Sequence, residues 1–255
     1  AAEDVIDVLL DMLKRQPAPL EPTDDKHAIF LARAPGRLDV MGGIADYTGS
    51  LVCEMPLAVA AGVAVQRRAD RRIIIETRNT LEPATNAGSS TASRVELSLD
   101  DFWGTAGLLP LETVRGLFCG PRHWASYSAG AFYVLLKQRK LAQRALGANI
   151  VCYSQVPLGA GVSSSAALEA ATLSALTAAY NLILDPLEVA VLAQRVENQV
   201  AGAPCGIMDQ VTSVLGRKDQ LLLLECQPHT IRGYLDIPAG VRLAGINSNV
   251  KHSVG

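Results

Sequence analysis

Apolar positions along the chain switch between helical and extended spacing. Val5, Val8, Leu9 and Leu13 fall on one side of a helix over residues 4–14. A Pro/Asp-rich connector covers 16–27, and Ile29–Ala34 then reads as a strand. Val59–Gln66, Arg72–Arg78 and Arg94–Leu99 read as further strands rich in β-branched residues. The Ala/Gly/Ser/Thr stretch Asn86–Ser93 reads as a mobile loop. Gly120-Pro121 opens a helix to about Leu141, where proline in the first turn costs no hydrogen bond. A strand over 148–153 and a helix over 166–180 follow. Asp185-Pro186-Leu187-Glu188 spells a capping box for a helix over 186–201, ended by Gly202-Ala203-Pro204. Residues 221–224, 231–235 and 241–246 read as strands. Strands and helices alternate without a regular βαβ period, so the pattern predicts an α+β layered fold.

Composition narrows the class. Of 255 residues, 49% are hydrophobic and 19% charged, which is ample material for a core. A net charge of −2 gives no basic surface for nucleic acid or an anionic membrane, and no apolar run is long enough to span a bilayer. The five cysteines are scattered with no Cys-x-x-Cys pair, which suits reduced thiols and a cytoplasmic location. The four histidines lack metal-ligand spacing. The chain begins with Ala and carries no signal-peptide pattern, so a fragment of a longer protein is expected. Nothing in the sequence specifies an oligomeric state.

Three segments carry candidate chemistry. Residues 157–166, Pro-Leu-Gly159-Ala160-Gly161-Val-Ser163-Ser164-Ser165-Ala166, link a strand to a helix. Glycines let backbone amides approach an anion, and the free amides and dipole of the helix start favour phosphate. Serine hydroxyls add hydrogen bonds and can ligate a hard cation. An ordinary turn with a serine N-cap has the same spelling. A Walker A loop is excluded because no Gly-Lys-Ser/Thr follows. A dinucleotide fingerprint is excluded because Ser164 holds the third glycine position.

The second segment, Ala34–Gly49, follows a strand and reads as a glycine-rich loop holding Arg37, Asp39 and Asp46. Short carboxylates accept from vicinal hydroxyls, and a guanidinium neutralises a phosphate. A tight turn with solvated charges fits the same residues. The third runs from Glu197 through Gly206-Ile207-Met208-Asp209-Gln210. Asp209 at a helix start can be aimed into a cleft to orient an attacking hydroxyl, and Glu197 can ligate Mg²⁺. A capping Asp209 and a surface Glu197 are the alternative.

Ala-Pro-Gly-Arg, Val-Pro-Leu-Gly-x-Gly-x-Ser-Ser-Ser-Ala-x-Leu-Glu and Pro-Cys-Gly-Ile-Met-Asp-Gln, in that order, resemble the GHMP kinase superfamily and its galactokinase branch. The resemblance runs from about Phe30 to the chain end. It implies a ribosomal-protein-S5-like N-terminal domain over 28–215, preceded by a helix and connector over 1–27. Residues 216–255 would be strands leading into a ferredoxin-like C-terminal domain, with Asn247–His252 entering it. It implies that Gly159, Ala160, Gly161, Ser163, Ser164, Ser165 and Ala166 hold ATP phosphates. Ser165 and Glu197 would ligate Mg²⁺. Asp209 would face the anomeric hydroxyl as base or electrostatic anchor, with Arg37 beside it. Trp124, with Tyr127, resembles the family's aromatic pair near adenine; two core aromatics would look the same.

One departure carries information. Galactokinases have Glu-His-x-Asp where this chain has Gly43-Ile44-Ala45-Asp46, so Asp46 remains for ring hydroxyls while both partners of the sugar's 6-hydroxyl are gone. L-Arabinopyranose matches galactose in its ring hydroxyls and lacks the hydroxymethyl group. Buried polar groups stranded without a partner cost about 1–3 kcal/mol each, so a pocket for arabinose would drop them. The run Arg33–Tyr47 also resembles the L-arabinokinases. The expectation is an ATP-dependent L-arabinose 1-kinase. Galactokinase or another sugar 1-kinase is one alternative; a catalytically silent sugar sensor is another, disfavoured by the intact Arg37, Asp209 and Ser163–Ala166.

Overall fold

The structure, a computed structural model, describes residues 3–21, 27–79 and 93–246. Long strands β1 (Ile29–Met41) and β2 (Leu51–Arg67) form an antiparallel ladder at its centre. With β3 (Arg72–Thr77), β4 (Arg94–Ser98), β7 (Ala148–Ser154), β8 (Gln220–Glu225) and β9 (Thr230–Asp236) they make one seven-stranded sheet. The order is β4-β3-β7-β2-β8-β9, with β1 on β2; only β3 and β7 run parallel. Two-residue strands β5 (Trp103–Gly104) and β6 (Gly107–Leu108) form a separate hairpin.

Alternation along β2 sorts the layers. Val63 and Val65 enter the main core, while Ala64 faces the other way onto α1 (Val5–Arg15) with Leu9, Leu13 and Val151. Asp4 caps α1 by accepting from the Ile6 amide at 2.9 Å. The short helix α2 (Leu111–Gly116) lies at the rim of the main core. α3 (Ser126–Lys137) is buried along nearly its whole length, as expected of a helix apolar all round. It packs with α4 (Ser164–Ala179) and α5 (Pro186–Arg195), which continues into a π turn, Val196–Ala201. α6 (Met208–Leu215) joins Val52, Leu222 and Leu224 in a second core. Among the described residues no helix is long and apolar enough to cross a membrane.

The expected α+β layering holds, with three local differences. Ala34–Met41 is not a loop but the second half of β1. β2 is long enough to pair with it throughout, and ladder hydrogen bonds outweigh the Pro-Gly turn propensity at the cost of register shifts at Pro35/Arg37 and Asp39/Met41. Residues 241–246 are not a strand: Val241 and Ile246 are exposed, and the segment meets no partner strand among the described residues. Asp185 caps α5 through the Glu188 amide, but the Glu188 side chain pairs with Lys140 instead of closing the box. The expected loop Asn86–Ser93 lies outside the described residues except for Ser93, and Asn247–His252 lies outside entirely.

Leu9 is fully buried between α1 and the sheet. Leu9→Ala is expected to lower unfolding stability by about 2–5 kcal/mol, measured by urea denaturation. An unchanged midpoint would mean that α1 is not part of the folded unit.

Candidate active site

The run from Gly159 folds as its alternating glycines require. Gly159 (φ +69°), Gly161 (φ +71°) and Ser163 (φ +59°) take left-handed conformations at every second position. Such alternation turns successive amides toward a common concavity, a nest for an anion. α4 begins at Ser164, so its unpaired first-turn amides open beside that nest. Ser163 does not cap the helix: its hydroxyl is buried with no hydrogen-bond partner among the described residues, which removes the ordinary N-cap explanation for this serine.

β1 closes directly on this loop. The Arg37 amide donates to Val162 O at 3.1 Å, and a Cβ on Gly36 would stand 2.7 Å from the same oxygen, so only glycine permits the contact. The Arg37 guanidinium donates from Nε to Asp209 Oδ1 at 2.7 Å and from Nη1 to Gly161 O at 3.2 Å. Glu54 Oε2 lies 3.4 Å from the same Nε. Burial opposes the arginine's charge, but Asp209, with Glu54 and Asp39 behind it, outweighs that and raises its pKa. Asp209 enters from the first turn of α6.

Asp46 sits in a 3₁₀ turn, Ala45–Thr48, over the start of α6. Burial and the nearby Asp209 raise its pKa, while the amides of Tyr47 and Met208 oppose the shift. A Cβ on Gly206 would come within 1.7 Å of Asp46 Oδ2, so this glycine makes the room that the carboxylate occupies. Gly43 (φ +57°) has open space where a side chain would be, and Ile44 is 80% exposed.

Behind the nest lies a buried polar cluster. Ser165 Oγ donates to Glu197 Oε1 and Gln210 Nε2 to Glu197 Oε2, each at 2.6 Å. Burial raises the Glu197 pKa, and the Ser165 hydrogen bond opposes it. Glu169 is fully buried beside them, and burial with the neighbouring Glu197 drives its pKa well up. The π turn aims Glu197 inward, an irregularity typical of functional sites. Trp124 lies in the 3₁₀ turn Gly120–Ala125 and packs partly buried against the main core. Its neighbour Tyr127 is held up to about 12, by burial first and then by Glu197 and Glu169.

The structure thus brings Arg37, Asp209, Asp46, Glu197 and the 159–166 loop together. Sequence reasoning missed Glu54, Glu169 and Gln210. Glu54 had a signal: it is a lone charge in the otherwise apolar run Leu51–Met55. Gln210 and Glu169 lay inside noted motifs but were assigned no role.

Residues 126–217 match the family described as "GHMP kinases N terminal domain". The chain has the fold of the GHMP kinases, and that stretch is similar to their N-terminal domain. It superposes on Lactococcus lactis galactokinase complexed with galactose with a TM-score of 0.71 at 22% identity, over 90% of this chain and 52% of that one. For Methanococcus jannaschii mevalonate kinase the TM-score is 0.57 at 18% identity, over 85% and 57%. In sequence the chain is similar to L-arabinokinase of Arabidopsis thaliana, 41% identical over 244 residues. That match covers 89% of this chain but only 23% of the plant protein.

Gly206→Ala is expected to push Asp46 off the start of α6 and lower unfolding stability by about 1–3 kcal/mol, measured by urea denaturation. An unchanged midpoint would mean that Asp46 does not need the room this glycine leaves.

Proposed function

We propose that this chain carries the catalytic residues of an ATP-dependent sugar 1-kinase, and that its sugar is L-arabinose. The observation that supports it most is the Arg37–Asp209 contact, set between an amide nest and the Asp46 carboxylate. In this reading the nest and the α4 amides bind the ATP phosphates, with Ser163–Ala166 along them and Trp124 toward the base. Asp46 accepts from ring hydroxyls and orients the sugar. Asp209 orients the anomeric hydroxyl and, at the transfer, accepts its proton or anchors it by charge. The hydroxyl oxygen forms a bond to the γ-phosphorus as the bond to the ADP oxygen breaks. Arg37 holds Asp209 in place through their 2.7 Å contact and balances charge on the moving phosphoryl group. The reading divides the chain at about residues 27 and 215, with the sheet continued through β8 and β9.

Ser165 and Glu197 fit a magnesium ion. Both are hard oxygen donors 2.6 Å apart. Mg²⁺ takes one or two protein oxygens and completes its shell with phosphate and water. Bound there with ATP, the ion would neutralise charge on the β- and γ-phosphates.

The choice of arabinose rests on similarity to the plant L-arabinokinase and on Gly43-Ile44, which offer no side-chain hydrogen bond to a 6-hydroxyl. Galactose is the second reading, and the open space beside Gly43 favours it, since a hydroxymethyl group meets no wall there. Discrimination therefore comes from missing hydrogen bonds and is graded. The expected result is L-arabinose kcat/KM above D-galactose by about tenfold at most, because water reaches a 6-hydroxyl at the open position beside Gly43, with D-xylose inert because its 4-hydroxyl is inverted. Coupled ADP assays on full-length protein with Mg²⁺ measure it. Equal or better galactose turnover would overturn the arabinose assignment. Asp209→Asn should abolish turnover and keep ATP binding; retained turnover would remove Asp209 from the chemistry.

A further inference from the structure

Glu54 stands on β2 directly opposite Asp39 on β1 and is fully buried. Both of its oxygens, and Asp39 Oδ1, accept no hydrogen bond from any described residue. Arg37 Nε is 3.4 Å from Glu54 Oε2 but is already given to Asp209 at 2.7 Å. As directly opposed residues, Glu54 and Asp39 present their carboxyl groups on the same face of the β1–β2 pair. They converge over Gly42, where a Cβ would lie 2.8 Å from Glu54 Oε1 and 2.9 Å from Asp39 Oδ1. The other Asp39 oxygen accepts the Gly43 amide at 2.6 Å.

Two facing carboxylates with three of their four oxygens accepting no hydrogen bond are unfavourable as a doubly ionised pair, and one proton between them satisfies the stranded oxygens. Burial drives Glu54 up to about 9; Arg37 opposes this and Asp39 and Asp209 reinforce it. The thiols of Cys53 and Cys226 also face it and carry no charge at neutral pH, since burial raises both.

We propose that Glu54 is a neutral acid donating its proton to Asp39, and that this acid–carboxylate pair is the positioning element behind both Arg37 and the Gly43 turn. A neutral Glu54 leaves the Arg37 charge to Asp209. Asp39, held from behind by Glu54, pins the turn that borders the sugar in the proposed kinase reading, on which the catalytic part of this inference rests. An ionised Glu54 would compete for Arg37 Nε and add negative charge near the transferring phosphoryl group.

The test compares full-length wild type with Glu54→Gln, which keeps a donor and cannot ionise, and Glu54→Ala, which removes it. At pH 7 the infrared difference spectrum, wild type minus Glu54→Gln, should contain a protonated carboxyl stretch that fades as pH rises through about 9. In turnover, Glu54→Gln should keep kcat within about threefold and lose the wild-type decline near pH 9. Glu54→Ala should lose about tenfold or more in kcat and raise KM for sugar more than for ATP. The raised pKa stabilises the fold fully only below the unfolded value of 4.5, and that contribution is lost as pH climbs toward 9. Glu54→Gln should therefore melt higher than wild type at pH 7, with the gap closing below pH 4.5. No carboxyl band, or a folded but inactive Glu54→Gln, overturns the proposal. A wild type inactive on every sugar defeats the kinase reading instead, and the infrared result then decides the acid pair alone.

Discussion

The ion pair between Arg37 and Asp209 is the contact on which the arrangement depends. It ties the bulged half of β1 to the first turn of α6, and the same guanidinium reaches back to Gly161 in the amide nest. Three segments far apart in sequence thereby meet at one side chain. Arg37 is nearly buried, so its charge is tolerated only because acceptors surround it; removing one partner of a buried pair costs far more than the pair contributes. The cores on either side serve that contact. The second core seats α6, and the main core seats α4 and the loop before it.

Close approach is the constraint that recurs around it. β1 touches the loop before α4 only because Gly36 lacks a Cβ, and Asp46 rests on the start of α6 only because Gly206 does. Each glycine stands where a side chain would push two elements apart. The irregular backbone has the same logic: the shifts in β1 and the π turn after α5 cost ladder or helix hydrogen bonds, and they turn Arg37, Asp39 and Glu197 inward. Carboxyl groups crowd this space, and burial raises the pKa of Asp46, Glu54, Glu169 and Glu197 alike.

Much of this was legible in the residues. The 3.6 period marked α1, the β-branched runs marked β2, β3, β4 and β7, and Gly159 and Gly161 marked the nest, because those signals depend on local geometry. The extension of β1 through Ala34-Pro35-Gly36-Arg37 was not legible, since it depends on a partner strand 19 to 27 residues away overriding a local turn signal. Residues 241–246 failed in the opposite way, reading as a strand without a neighbour to pair with among the described residues. Glu54 was legible as a lone charge in an apolar run, whereas Glu169 was not, because only its burial makes it unusual.

The measurement that bears most directly on the central claim is a crystal structure of the full-length protein with Mg²⁺, a non-hydrolysable ATP analogue and L-arabinose. The account predicts terminal phosphates seated on the amides of residues 159–166, ring hydroxyls on Asp46, and the anomeric oxygen against Asp209 with Arg37 alongside. A sugar bound away from Asp209, or phosphates that leave the nest empty, would contradict it.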